Sequence, residues 1–319
     1  MITKLILNKK NGVETFEERI APIWFWSSFG LIIAIFSCYV YSRWIFDPIQ
    51  SLAVPILNNS MSTNQVLRIR IMEATSMCIA LSMLWVYLFR ALIKKHKVPI
   101  EGYILVGTLF GYVFDTTINY FNYVMAWNIY SINLGTWAAF FPGHTGPTRY
   151  AEGLLWGPSM YMYFGLLLGL IQYKFIETTK SKIGAIYAFV ISFFIAFVFD
   201  LVVESFIIRT TQAYAYPHII PILSVWVGKQ YQFPLYASFL VAIYSSIYLC
   251  FIYSSKRNKE SFVERGVRSL PKQIQFPIRV LAGIGFASLP IVVYFSGMLF
   301  FGLFAKTTIS LPIYLLPAN

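Results

Sequence analysis

The chain has 319 residues, of which 58% are hydrophobic and only 12% charged, against about 45–50% apolar and about 25% charged in an average soluble domain. So little charge cannot cover a water-facing surface. That excludes soluble enzymes, nucleic-acid-binding modules and secreted scaffolds, and leaves an all-α, multi-pass membrane protein whose net charge of +12 reads first as a topology signal.

In chain order, residues 1–19 are mixed in charge, lack a continuous apolar run and are expected to form a cytoplasmic segment rather than a signal peptide. At about 20 apolar residues per crossing, the sequence predicts seven spans: 20–42, 71–89, 102–123, 153–173, 183–208, 234–253 and 280–305. They make one transmembrane domain, 20–305, with a short tail at 306–319. Pro158 and Pro290 fall inside the fourth and seventh spans, where they are expected to kink the helices. Cys38, Cys78 and Cys250 lie in apolar stretches without a CxxC pair and are expected as small core residues. Asn58-Asn59-Ser60 fits a glycosylation sequon. Three histidines, His96, His144 and His218, do not suggest a His-rich metal centre.

Lys and Arg set the orientation. Counting the N-terminal segment with the connections at 90–101, 174–182 and 254–279, one side holds 18 of the 25 basic residues. The positive-inside rule puts that side, with the N-terminus, in the cytoplasm. Two connections on the opposite, outer side, 124–152 and 209–233, are long, aromatic and nearly uncharged, and the stretch 217–228 is a candidate to dip back into the bilayer. An inward N-terminus opposes a G-protein-coupled receptor. A last span free of Lys until Lys306 opposes a retinal protein.

The chain has 13 acidic residues, and an ionisable group inside a span is costly enough to be a functional candidate by default. Asp115 lies within span three. Asn119 and Asn122 follow at i+4 and i+7 and, on an α-helix, share its face, with Tyr112 one turn before. An interhelical hydrogen-bond clamp is the structural alternative. Asp200 and Glu204 are also i and i+4. Two carboxyls one turn apart in low dielectric cannot both ionise easily, and a protonated carboxyl beside an ionised one is a common arrangement for general acid–base catalysis. Salt bridges to Arg149 or Arg209 are the alternative. Glu73 opens span two and Glu152 precedes span four, so five acids from four spans are expected at similar depth, in a pocket lidded by the two long connections. Those connections supply Trp137, His144 and Tyr231 as further substrate-contact candidates, although an interfacial aromatic belt explains most such residues. Gly135, Gly143 and Gly146 with Pro142 and Pro147 imply a tightly turned segment. Walker, GxGxxG, HExxH and GxSxG patterns do not stand out, so no metal or cofactor is expected.

The stretches FDTTINYFNY (114–123), NLGTWAAFFPG (133–143), FDLVVES (199–205), YQFPLYAS (231–238), ERGVRSLP (264–271) and IRVLAGIGFAS (278–288) resemble the avermectin-type spirocyclase (AveC-type) family. Thr116 stands where family members often carry proline, and Glu152 lacks their flanking prolines. The resemblance implies a membrane-bound, cofactor-independent cyclase with a linked dehydration, closing a dihydroxy-ketone polyketide into a spiroketal. On that reading Asp115, Asp200 and Glu204 hold the acid and base roles, while Asn119, Asn122, Glu73, Glu152, Trp137, His144 and Tyr231 contact the substrate. The expected partners are a lipophilic small molecule and membrane lipids, with no nucleic acid. A proton-coupled carrier and a non-catalytic lipid-binding protein are the alternatives.

Overall fold

The computed structural model describes residues 4–10, 13–19, 21–56, 60–94, 97–258 and 260–318. Asn58 and Asn59 of the sequon, and His96, fall outside the described residues. Seven α-helices longer than two turns occur among those residues: α1 (Pro22–Ile45), α2 (Thr63–Ile93), α3 (Ile100–Gly111), α4 (Gly157–Ile183), α5 (Ala185–Thr211), α6 (Leu235–Arg257) and α7 (Lys272–Gly302). Five of them, α1, α2, α5, α6 and α7, are long and apolar enough to cross a membrane. Their outward faces are apolar, with Ile32, Ile186 and Phe206 all more than half exposed, as a lipid-facing surface requires. Before α1, Lys4–Lys10 and Val13–Arg19 pair as an antiparallel hairpin, β1 and β2.

Local chemistry moves several helix ends away from the sequence expectation. α2 begins eight residues before its predicted span, because Ser62 and Gln65 form a reciprocal capping box, Gln65 Oε1 accepting from the Ser62 amide at 2.8 Å. A single π-helical turn, Trp85–Phe89, interrupts it. Pro158 does not kink a helix: it sits in the first turn of α4, where a missing N–H costs nothing. Pro277 and Pro290 lie inside α7. Gly184 joins α4 to α5 alone, at φ +85°, a conformation open to glycine. The three cysteines are free, but they face outward rather than into the core. A thiol is apolar enough for either position.

The largest departure is in span three. The α-helix stops at Gly111 and tightens into a 3-10 helix, Tyr112–Asn119. Short polar side chains take backbone carbonyls there, as Thr117 Oγ1 does from Phe114 at 2.6 Å. At three residues per turn, position i+4 lies a third of a turn away from i. Asn119 therefore does not share the face of Asp115, and Asn122 lies beyond the 3-10 helix.

Two helices act as hubs. α7 packs on α1, α3 and α6, while α4 packs on α2, α3, α5 and α6. Close approach on α7 depends on two glycines: Gly285 lies against the backbone of Trp26 and Gly30 of α1, and Gly283 lies against Tyr103, with its carbonyl against Gly107, on α3. The connections after α3 and α5 turn inward. Ala126–Trp127 (β3) pairs with Tyr214–Ala215 (β4), and Trp127, Tyr150, Tyr214 and Tyr216 are fully buried. The stretch 217–228 forms no re-entrant helix. It holds His218–Ile219 (β5), a single 3-10 turn at Pro221–Leu223, and Ser224–Val225 (β6). β6 pairs with Phe233–Pro234 (β7), and β5 with Lys306–Thr307 (β8).

Candidate functional site

α5 carries Asp200 and Glu204 one helical turn apart, both buried. They face a cavity of about 40 Å³ between α4, α5, α6 and α7, lined also by Tyr161, Tyr216, Tyr244 and Tyr294 and by Trp127, Trp156 and Met160. Tyr214 donates its hydroxyl hydrogen bond to Glu204 Oε1 at 2.9 Å. Asp200 lies against the Ser238 hydroxyl, and among the described residues neither of its oxygens nor Glu204 Oε2 closes a hydrogen bond of ordinary geometry.

Asp115 and Glu152 form a second buried pair beside the first. Asp115, in the 3-10 segment, lies against Glu152 and the Tyr161 hydroxyl, yet neither of its oxygens closes a hydrogen bond of ordinary geometry. Glu152 lies in the connection before α4, outside the spanning helices. It accepts from Thr136 Oγ1 at 3.0 Å and faces the Tyr112 hydroxyl. Burial, and then the neighbouring carboxyl of Asp115, push its pKa well above the usual carboxyl range. Tyr161 touches both pairs: it lies beside Asp115 and lines the cavity of Asp200 and Glu204. Among the described residues no Lys or Arg forms a salt bridge with any of these four acids. Arg209 instead stacks on Trp226 and Tyr231, at 4.1 and 4.4 Å from their ring centres.

The other expected contact residues lie elsewhere. Glu73 pairs with Arg70 and accepts the Ile132 amide at 2.7 Å, which ties a loop to α2. Asn119 clamps the backbone of Met125 through two bonds of 2.9 Å. Asn122 is exposed. Trp137 donates to the Val113 carbonyl at 2.7 Å within a separate aromatic cluster around Tyr112. His144 bonds the Pro147 carbonyl at 3.0 Å, and burial holds its pKa below the ordinary value, so it stays neutral near pH 7. Tyr231 is occupied by Arg209. Asp115, Glu152, Asp200 and Glu204 are thus the candidates the fold gathers. Tyr161, Tyr244 and Tyr294 were missed. Their signal was a phenol in the middle of an apolar helix, a polar group in need of a reason.

Comparison with curated proteins gave no match, and comparison with solved structures gave none. Residues 95–311, well over half of the chain, match the family described as Spirocyclase AveC-like. The matched range runs from just before α3 through α7 and contains all four gathered carboxyls. With that much of its length inside the match, this chain belongs to the AveC-like spirocyclase family.

Proposed function

We propose that this protein is a membrane-embedded acid–base cyclase that closes a lipophilic, polyketide-like dihydroxy ketone into a spiroketal with loss of one water. The reading includes seven spans, α3 and α4 among them, with the N-terminus in the cytoplasm. The family supports a polyketide-related cyclisation. The observation that carries the mechanism is four buried carboxyls that, among the described residues, form no salt bridge, two of them lining an aromatic cavity and the other two reaching it through Tyr161. A carboxyl paired with Arg is held ionised and cannot donate a proton. One left without a cation can pass through both states, which general acid–base catalysis needs.

The steps follow from that. One substrate hydroxyl adds to the ketone carbon. Its proton goes to a carboxylate, and the carbonyl oxygen takes a proton from a carboxylic acid, giving a hemiketal. Protonation of the hemiketal hydroxyl breaks that C–O bond and releases water, leaving an oxocarbenium ion. The rings of Tyr161, Tyr244 and Tyr294, which line the cavity, suit such a cation. The second hydroxyl then attacks, and its proton returns to a carboxylate, so the carboxyls end as they began. Asp200 and Glu204 take the acid and base roles, Asp115 with Glu152 stabilises the cation, and Tyr161 links the pairs.

The test is turnover by purified protein. Asp200→Asn and Glu204→Gln are each expected to lower kcat by at least about 100-fold, and Asp115→Asn to lower it as well, while the variants stay monodisperse in detergent. Full activity in all three overturns the mechanism. The same carboxyls also suit a proton-coupled carrier. Accumulation in proteoliposomes without chemical change would select that reading.

A further inference from the structure

The cavity holding Asp200 and Glu204 is too small for the whole substrate of the reaction proposed for it. Its 40 Å³ accommodates little more than water, whereas a drug-sized ligand needs at least about 300 Å³. A second cavity, of about 310 Å³, lies beside it between α2, α4 and α5. Trp156 and Met160 line both and form the partition between them. Ile71, Met72, Phe206 and Ile207 make the outer cavity's walls apolar. Ile71 and Phe206 are 57% and 66% exposed on the helix surfaces that face lipid, so this cavity is a groove open sideways. Arg68 closes one end, donating to the Thr210 carbonyl at 3.3 Å.

We infer that this groove is the substrate's lateral route from the bilayer, and that it holds the long apolar remainder of the dihydroxy ketone while the reacting carbons pass Trp156 and Met160 to the carboxyls. The inference rests on the cyclase reading. Three observations support it: the volumes divide as a small reacting centre and a long tail require, the two cavities share their partition, and the groove opens where a lipophilic molecule is already dissolved. Thr75, exposed and on the groove wall, gives a way to fill it without disturbing the core.

The probe is a long-chain dihydroxy ketone with a diazirine at its far end, irradiated with the full-length protein in lipid nanodiscs. Labelled residues are then mapped by mass spectrometry. Labelling is expected to concentrate on residues 68–76 and 206–211. Thr75→Trp should reduce it at least about tenfold and raise KM, whereas Ile186→Trp, elsewhere on the lipid face, should change neither. Asp200→Asn should lose turnover but keep the labelling. Even labelling over the whole lipid-facing surface, or labelling unchanged in Thr75→Trp, overturns the inference, and in that case the groove holds ordinary acyl chains. Ring closure by a protein with an unlabelled groove refutes the route alone. A labelled groove without any product refutes the cyclase reading alone.

Discussion

At the scale of single residues, the acids separate by what lies next to them. Glu73 and Glu152 were equally plausible from the sequence, since both flank a predicted span. Glu73 has Arg70 and a backbone amide, and its work is structural. Glu152 has a threonine hydroxyl, a phenol and a second carboxyl. This has a consequence for stability. An unfolded glutamate titrates near about 4.3, whereas folded Glu152 keeps its proton to higher pH. As pH rises above about 4.3 the folded state therefore binds more protons than the unfolded one, and stability falls with pH. Glu152→Gln removes that contribution. The thermal midpoint of the variant is expected to decline less steeply than that of the unsubstituted protein between mildly acidic and neutral pH, as followed by scanning fluorimetry in detergent. Parallel curves would show that Glu152 shares its proton otherwise.

At the scale of elements, α7 is held at two crossings by glycines. A Cβ on Gly285 would meet backbone of α1, which cannot swing aside as a side chain can. Gly285→Val is expected to destabilise by about 1–3 kcal/mol, the usual result of overpacking, seen as a lower thermal midpoint and loss of monodispersity in gel filtration. An unchanged midpoint would mean that α1 shifts freely. Five of the helices, α1, α2, α5, α6 and α7, were legible in the sequence as membrane-length apolar segments, because hydropathy reports how a segment partitions into lipid. Their exact starts were less so: the capping box at Ser62 overrides the charges of Arg68, Arg70 and Glu73 in deciding where α2 begins. Least legible was the segment after Gly111. Hydropathy cannot distinguish an α-helix from a 3-10 helix, so Asn119 and Asn122 were assigned a face that only an α-helix would have. The pair on α5 was legible because α5 is a regular helix and i, i+4 spacing holds there. The partnership of Asp115 with Glu152 was not, because it depends on how the connection 120–156 folds back through contacts distant in sequence.

At the scale of the whole molecule, charge is sorted by end. Near the basic connections, Glu101 meets Lys256 at 2.9 Å, and Glu264 meets Arg279 and Lys97 at 3.3 and 3.4 Å. Buried acids there are neutralised in place. At the other end Arg209 lies on aromatic rings and Arg70 on Glu73, and among the described residues Asp115, Glu152, Asp200 and Glu204 form no salt bridge. Lys97, Lys256 and Arg279, from the connections 90–101 and 254–279, thus neutralise the buried acids beside them.

The groove wall has a consequence for how such an enzyme diversifies. Its α2 side, Arg68 to Ser76, lies ahead of the matched range, which starts at residue 95 and includes every gathered carboxyl. On the proposed route, one wall of what accepts the substrate is then encoded apart from the carboxyls, while its other wall, from Trp156 to Thr211, lies within the matched range. Exchange of residues 60–94 with another family member is expected to change which of two competing chain lengths is consumed first, while the rate of ring closure at saturation holds. A competition assay on the chimera measures both, and selection could retune appetite without touching chemistry.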